Sequence, residues 1–349
     1  MLGSVNLYSQ SNPLIADYRI NNYSDPIISG DSLFIPVRSS TKEFQIHVAA
    51  LKDNQIARVY LPPTKMSRET SFTIENGYIY YHVSGKLSKY EMRNNKRLWE
   101  VSYSSKWGAQ WEPVILGKYV ISIVDDTILV VDKTTGTIIQ EIKGKGFEDG
   151  ISLSGNYLIG TKAGGQTFAI DLSTGKKKWG IDVGDEAGYG SVTENNNLYL
   201  PSWDPKFYCV DRETGKPKWT LDLRKIKNGC GSGFEEAPVM FGPNLYAVHR
   251  DHGLFIINKS NGNVEEVHDL KVNIVDNVAE YGGNLIFCSN NYLHIFSIKE
   301  NKELKRLALP AEVLSGVTLQ NNYAIIGQGN KYKKSSIVLV YDLDKALTQ

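Results

Sequence analysis

Short apolar stretches separated by tight polar turns run the length of the chain. In "TFAIDLSTGKKKWGIDVG" (residues 167–184) an apolar segment ends at an aspartate. A turn with Gly175 follows, and then a second segment carrying Trp179. Nearly the same phrase returns about forty residues later as "FYCVDRETGKPKWTLDL" (207–223). Segments of strand length, rich in Val, Ile, Tyr and Phe and punctuated by Gly and Asn, predict β-structure throughout. No stretch sustains a 3.6-residue apolar period between helix caps.

Aligning the copies on the residue four before the turn glycine or its substitute gives anchors at Leu51, Glu91, Asp132, Asp171, Asp211, Asn258, Ser297 and Asp342. Successive anchors lie 40, 41, 39, 40, 47, 39 and 45 residues apart. Each unit holds four strand-like segments. "EAPVMFG" from Glu236, "NLYAVHR" from Asn244, "GLFIINK" from Gly253 and "NVEEVHDL" from Asn263 are the four of one copy. Four strands recurring at this period describe a β-propeller blade, whose sheet buries its faces against its neighbours. The fold expected is therefore all-β, a propeller of eight four-stranded blades, with seven as the alternative if region 1–65 forms no full unit. The last unit stops near its third strand, "SIVLVYDL", so "VNLYS" or "LIADYRI" from the N-terminus is expected to close it. The chain reads as one domain, 1–349, with 1–24 the closing segment and 25–349 the tandem blades.

The turn has a physical rationale. A carboxylate or hydroxyl at the anchor can accept from amides two residues on. Gly136, Gly175, Gly215 and Gly262 supply the positive φ of a bulged hairpin, and Asn95 and Asn301 are the next most tolerant substitutes. Trp99, Trp179 and Trp219 stand eight residues after their anchors, where other copies have Gln140, Glu266 and Lys305. A large apolar ring at a repeated strand position reads as glue between blades.

The phrases "DLSTGKKKW" and "DRETGKPKW" resemble the repeat of pyrroloquinoline-quinone-type β-propellers, over roughly residues 25–349. That resemblance implies a fold but not an activity. In the quinoprotein dehydrogenases of this family it would imply a bound quinone, Ca²⁺, an Asp base and a disulfide between adjacent cysteines. Cys209, Cys230 and Cys288 are far apart, and the chain has no room for the insertions that cover the cofactor. In the other branch, which includes a lipoprotein propeller of the outer-membrane β-barrel assembly machinery, the ring is a scaffold. That lipoprotein carries a lipid-acceptor Cys near its start, whereas the first cysteine here is Cys209. The reading is of a non-catalytic scaffold without cofactor.

Propeller function sits in loops at one end of the blades. The segments leading into first strands, with the loops between second and third strands, supply Trp107, Trp111, Glu112, Glu148, Asp149, Tyr189, Trp203, Asp204, Phe234, Glu235, Glu236, His249, Arg250, His252 and Asp276. Together they describe an acidic, aromatic face for a protein or peptide, in an assembly subunit or an inhibitor or immunity-type protein. The alternatives are an enzyme using Glu148, Glu235, His249 or His252 as acid and base, and a divergent quinone or metal binder. "HRDH" (249–252) offers two histidines without an identifiable third ligand, and no cysteine pair or Cys/His run has zinc spacing. No catalytic residue or metal is assigned.

Charge and composition narrow the picture further. A formal net charge of +1 gives no global field for nucleic acid. No apolar run is long enough for a spanning helix. The N-terminus lacks the basic start and apolar stretch of a signal peptide, and isolated cysteines suit a reducing compartment. A cytoplasmic location is expected, with periplasmic or secreted as the alternative if a signal has been removed.

Overall fold

The structure is a computed structural model. It describes all residues except 1–4, 8–13, 21–26, 31, 39–43, 51–55, 61–71, 84, 105–108, 110–111, 126, 144–150, 163, 185–189, 227–229, 235, 271–273, 290, 311, 331–332 and 349. The chain is an all-β β-propeller. Seven blades are antiparallel sheets of four strands each, and blades 1 to 7 span 27–60, 72–102, 114–143, 151–182, 192–222, 239–268 and 274–308. Seven four-stranded blades is the count held above as the alternative. Yet the suspect region 1–65 does contain a full unit, Ile27–Tyr60, and the departure from the plan comes at the other end.

There, Val313–Gln320, Tyr323–Asn330 and Lys333–Asp342 are joined by two N-terminal strands in one five-stranded sheet. Leu14–Ile20 pairs antiparallel with Lys333–Asp342, and Val5–Leu7 pairs with Leu14–Ile20. Both N-terminal segments proposed to close the last unit are used. The repeat pattern does not reveal a six-residue helix at the C-terminus, Leu343–Thr348, or a 3₁₀ turn at Leu223–Lys225.

By its contacts the chain divides into two compact units, Met1–Gly144 with Thr318–Gln349, and Lys145–Val317. The first holds blades 1 to 3 and most of the five-stranded sheet. The second holds blades 4 to 7.

Burial explains the sequence pattern within a blade. Third strands such as Thr127–Asp132 and Lys206–Asp211 are buried at their four central residues, hence the continuous apolar runs. Fourth strands such as Ile138–Lys143 and Lys302–Ala308 alternate half-buried with exposed, hence mixed runs such as "KELKRLA".

The anchor residue closes the third strand in blades 2 to 7. In blade 3 its carboxylate accepts from the amides of Thr134 and Thr135 at 2.9 Å each, while Gly136 N donates to the Asp132 carbonyl at 2.9 Å. The ladder to the fourth strand then slips by one residue, a bulge repeated in blades 2 to 7.

The repeated tryptophan reaches the turn of the following blade. Trp99, Trp179 and Trp219 donate their indole N–H to the carbonyls of Lys133 (3.2 Å), Arg212 (2.7 Å) and Lys259 (3.0 Å). Each ring lies on that turn's glycine. A Cβ on Gly136, Gly215 or Gly262 would meet it at 2.8, 2.7 and 2.6 Å respectively. Positive φ and close approach therefore demand the same residue. Between blades 6 and 7 both partners change together: Glu266 replaces the tryptophan, Asn301 replaces the glycine, and Asn301 Nδ2 donates to the Glu266 carboxylate.

Candidate functional site

Most of the described candidate residues gather in the second unit, on three segments of blades 5 and 6. The first is the loop between Asn197–Pro201 and Lys206–Asp211, "SWDP". The second, 230–238, leads into Val239–Phe241. The third is the turn 250–252 between Asn244–His249 and Gly253–Asn258.

The first loop is held firmly. Ser202 Oγ donates to the Val183 carbonyl at 3.2 Å and accepts from Asp204 N at 3.2 Å. The Asp204 carboxylate meets Lys206 Nζ at 2.8 Å, and this bond holds the lysine's pKa above its usual value. The second segment docks on the first: Gly233 N donates to the Trp203 carbonyl at 2.7 Å. A Cβ on Gly233 would lie 1.8 Å from the Ser202 carbonyl oxygen and 2.2 Å from that of Asp204. No other residue allows this approach without moving backbone. The Trp203 side chain, fixed at its backbone on both sides, remains 36% exposed.

Phe234 and His249 correct the expectation of surface contacts. Phe234 is 0% exposed, with rings in edge contact with Phe207 (5.6 Å between centroids), Phe255 (5.3 Å) and His249 (6.0 Å). An aromatic following the tight Gly233 contact is the hydrophobic plug that seats the segment. His249 is 1% exposed, and its Nε2 donates to the Ser232 carbonyl at 3.1 Å while Nδ1 accepts from Asp251 N at 3.2 Å. Arg250 is exposed and His252 half-buried, its ring 4.7 Å from that of His249. Glu236 is half-buried in the second segment.

Glu112 is exposed and belongs to the first unit, ahead of Val114–Leu116. Trp107, Trp111, Glu148, Asp149, Tyr189 and Glu235 lie outside the described residues, as does the side chain of Asp276 on Ile274–Tyr281. Two carboxylates of blade 5 are matched by cations. Asp204 pairs with Lys206, and Asp222 pairs with Arg224 at 2.9 Å.

In the sequence the two histidines have no identifiable third ligand. The structure corrects this: Cys230, His249 and His252 each offer a ligand atom within 4.8 Å of the others. Cys230 lies 19 positions before His249 in sequence, a spacing that belongs to no metal motif. Only the docking of the second segment brings them together. The three cysteines form no disulfide, and burial pushes the Cys209 thiol up to about 11, which leaves it a poor nucleophile.

Comparison with known proteins bears on these features. A family model described as outer membrane protein assembly factor BamB matches residues 163–269, which include all three segments. The crystal structure of BamB from Moraxella catarrhalis superposes with a TM-score of 0.71 at 16% identity, covering 97% of this chain and 100% of that one. The computationally designed Ika8 protein gives 0.68 at 14% identity, covering 91% and 95%. Comparison with the curated proteins gave no significant match. The expectation of a cytoplasmic protein is overturned: the family model that matches is described as an outer membrane protein assembly factor, and the superposed structure is a protein of that name. The repeat, its turn and the matched fold are similar to those of the pyrroloquinoline-quinone-like-repeat β-propellers.

Proposed function

We infer that this chain is a non-catalytic binding scaffold, a single propeller domain that engages a protein or peptide through its loop residues with Trp203 as the anchor. One observation carries this reading: an exposed indole sits on a loop already fixed by Ser202, Asp204 and Gly233. A rigid aromatic loses little conformational entropy when it is covered, and such residues dominate binding energy at interfaces. The neighbouring ion pairs form a polar rim suited to orienting a partner. The acidic, aromatic loop residues expected from the sequence, Glu148, Asp149, Tyr189, Glu235 and Asp276 among them, belong to the same proposal and would favour a basic partner. The likeness to an outer-membrane assembly factor supports a protein partner met outside the cytoplasm. The near-zero net charge is in keeping with a partner that is not nucleic acid.

The test places a photo-crosslinking residue at Trp203 in one variant and at exposed Lys302 in another, in the native cell. A discrete product from position 203 alone, whose purified protein binds Trp203→Ala at least tenfold more weakly than wild type, is the expected result. Equal binding by an unaltered fold would remove this face from the proposal. No product at either position would count against a protein partner.

A further inference from the structure

Cys230, His249 and His252 lie at the junction of two segments whose positions are fixed independently. Gly233 N to the Trp203 carbonyl and the buried ring of Phe234 seat the cysteine-bearing segment. The histidine turn ends at Gly253 (φ +86°), where a Cβ would come within 2.1 Å of the His268 carbonyl oxygen. A thiol and two imidazoles are thus held together by constraints unrelated to their own chemistry. Cys230 and His249 are buried and His252 is half-buried, leaving one side of the trio toward solvent.

We propose that these three residues form a metal site for a single zinc(II) ion, with the fourth position left to water or to a ligand of a partner. Zinc takes thiolate sulfur at about 2.3 Å and imidazole nitrogen at about 2.0–2.1 Å in a tetrahedron. Ligand atoms in such a site are roughly 3.3–3.7 Å apart, by that geometry. The observed limit of 4.8 Å requires a contraction of about an ångström among the three donors, one of which, His252, is only half-buried.

The surroundings of His249 fit the role. The Ser232 carbonyl can only accept, which places the ring proton on Nε2 and the lone pair on Nδ1. A metal-bound histidine characteristically donates its other ring N–H to a carbonyl or carboxylate, which fixes the ring. Nδ1 now accepts from the Asp251 amide at 3.2 Å, and the metal would take that place. Binding requires the Cys230 thiol to lose its proton to solvent as the zinc–sulfur bond forms, with no change of oxidation state. Carboxylate-preferring ions such as Mg²⁺ and Ca²⁺ are excluded by this donor set. The inference is independent of the protein-binding role, since its three protein donors all lie within this chain and water suffices as the fourth.

The test uses the purified full chain, stripped with chelator and titrated with zinc chloride in competition with a chromogenic chelator. The titration runs alongside Cys230→Ser and His252→Ala, whose intact fold is checked by circular dichroism. The expected result is one zinc per chain, with affinity falling at least a hundredfold in both variants. Cobalt(II) loading should give a thiolate-to-metal charge-transfer band that Cys230→Ser abolishes. Absence of stoichiometric zinc in wild type would overturn the proposal, as would wild-type affinity in either folded variant. Copper bound in preference to zinc at the same residues would overturn the choice of ion.

Discussion

Trp219 and Trp203 lie on blade 5 on either side of one strand, and they are used in opposite ways. Trp219 is partly buried against Phe207 and Tyr199, lies on Gly262 of blade 6, and donates to the Lys259 carbonyl. Trp203 sits on a loop fixed through its backbone, and a third of its side chain is exposed. The first is one of three equivalent residues, at positions that recur with the blade. The second has no counterpart in the repeat. What recurs holds neighbouring blades together, and what does not recur is available for function.

The largest effect that would break this comparison is expected from Trp219→Ala. It removes a large apolar side chain and leaves a cavity over Gly262, at a cost of about 3–5 kcal/mol. The urea midpoint of the variant should fall well below that of wild type. Restoring bulk with Gly262→Ala in the same chain should not recover it, because φ at that position is +75°. A near-neutral Trp219→Ala would mean that the aromatic clamp is dispensable.

Next in size is Gly233→Ala, which attacks the loop cluster. Its new Cβ would overlap two backbone carbonyls, so the segment carrying Cys230 must lift from the loop carrying Trp203. Overpacking of this kind costs about 1–3 kcal/mol. Zinc affinity and Trp203-dependent binding should both fall, read by the chelator titration and the crosslinking assay. Retention of both would show that the two segments need not be docked.

The histidines sharpen the comparison through pH. His82 is buried between blades 2 and 3, with Nδ1 3.0 Å from the Tyr103 hydroxyl and Nε2 2.8 Å from Ser122 Oγ. Burial lowers its pKa from 6.5 to about 3. The folded state therefore resists a proton that the unfolded chain accepts. This contribution is complete above pH 6.5 and is lost as pH falls toward 3, on the order of 2 kcal/mol between pH 6.5 and 4.5. His47 and His294, also lowered by burial, add slope of the same sign, so His82→Gln should flatten the pH–stability curve without levelling it. The turn carboxylates act at lower pH. Asp132, held down by the amides of Thr135 and Thr134, and Asp171, held down by the hydroxyl and amide of Ser173, lose their contribution only as pH falls through their own depressed values. A slope unchanged in His82→Gln would remove His82 from this account.

The same contrast decides how much could be read from sequence. The anchor aspartates, turn glycines, repeated tryptophans and N-terminal closure were legible because each is imposed by a local constraint that recurs with every blade. Even the replacement of Trp and Gly by Glu266 and Asn301 follows that register. The site was legible only as a set of loops. Phe234 looked like a surface aromatic because its burial depends on Gly233 meeting the backbone of another loop, which no pattern within the segment records. Cys230 was missed as a neighbour of His249 and His252 for the same reason. Long-range docking of irregular backbone leaves no period to detect.

The smallest effect on stability is expected from Trp203→Ala, and it separates the two tryptophans most directly. The backbone bonds of residues 202–204 do not involve the indole, so the loop should keep its shape. With a third of the side chain already in water and no backbone bond lost, the loss of stability should be smaller than that of Trp219→Ala. The zinc titration should be unchanged, because Cys230, His249 and His252 are positioned by Gly233 and Gly253 rather than by the indole. Partner binding should nevertheless fall at least tenfold. A large loss of stability in Trp203→Ala would make this residue part of the clamp system, and the division between repeated and unrepeated tryptophans would fail.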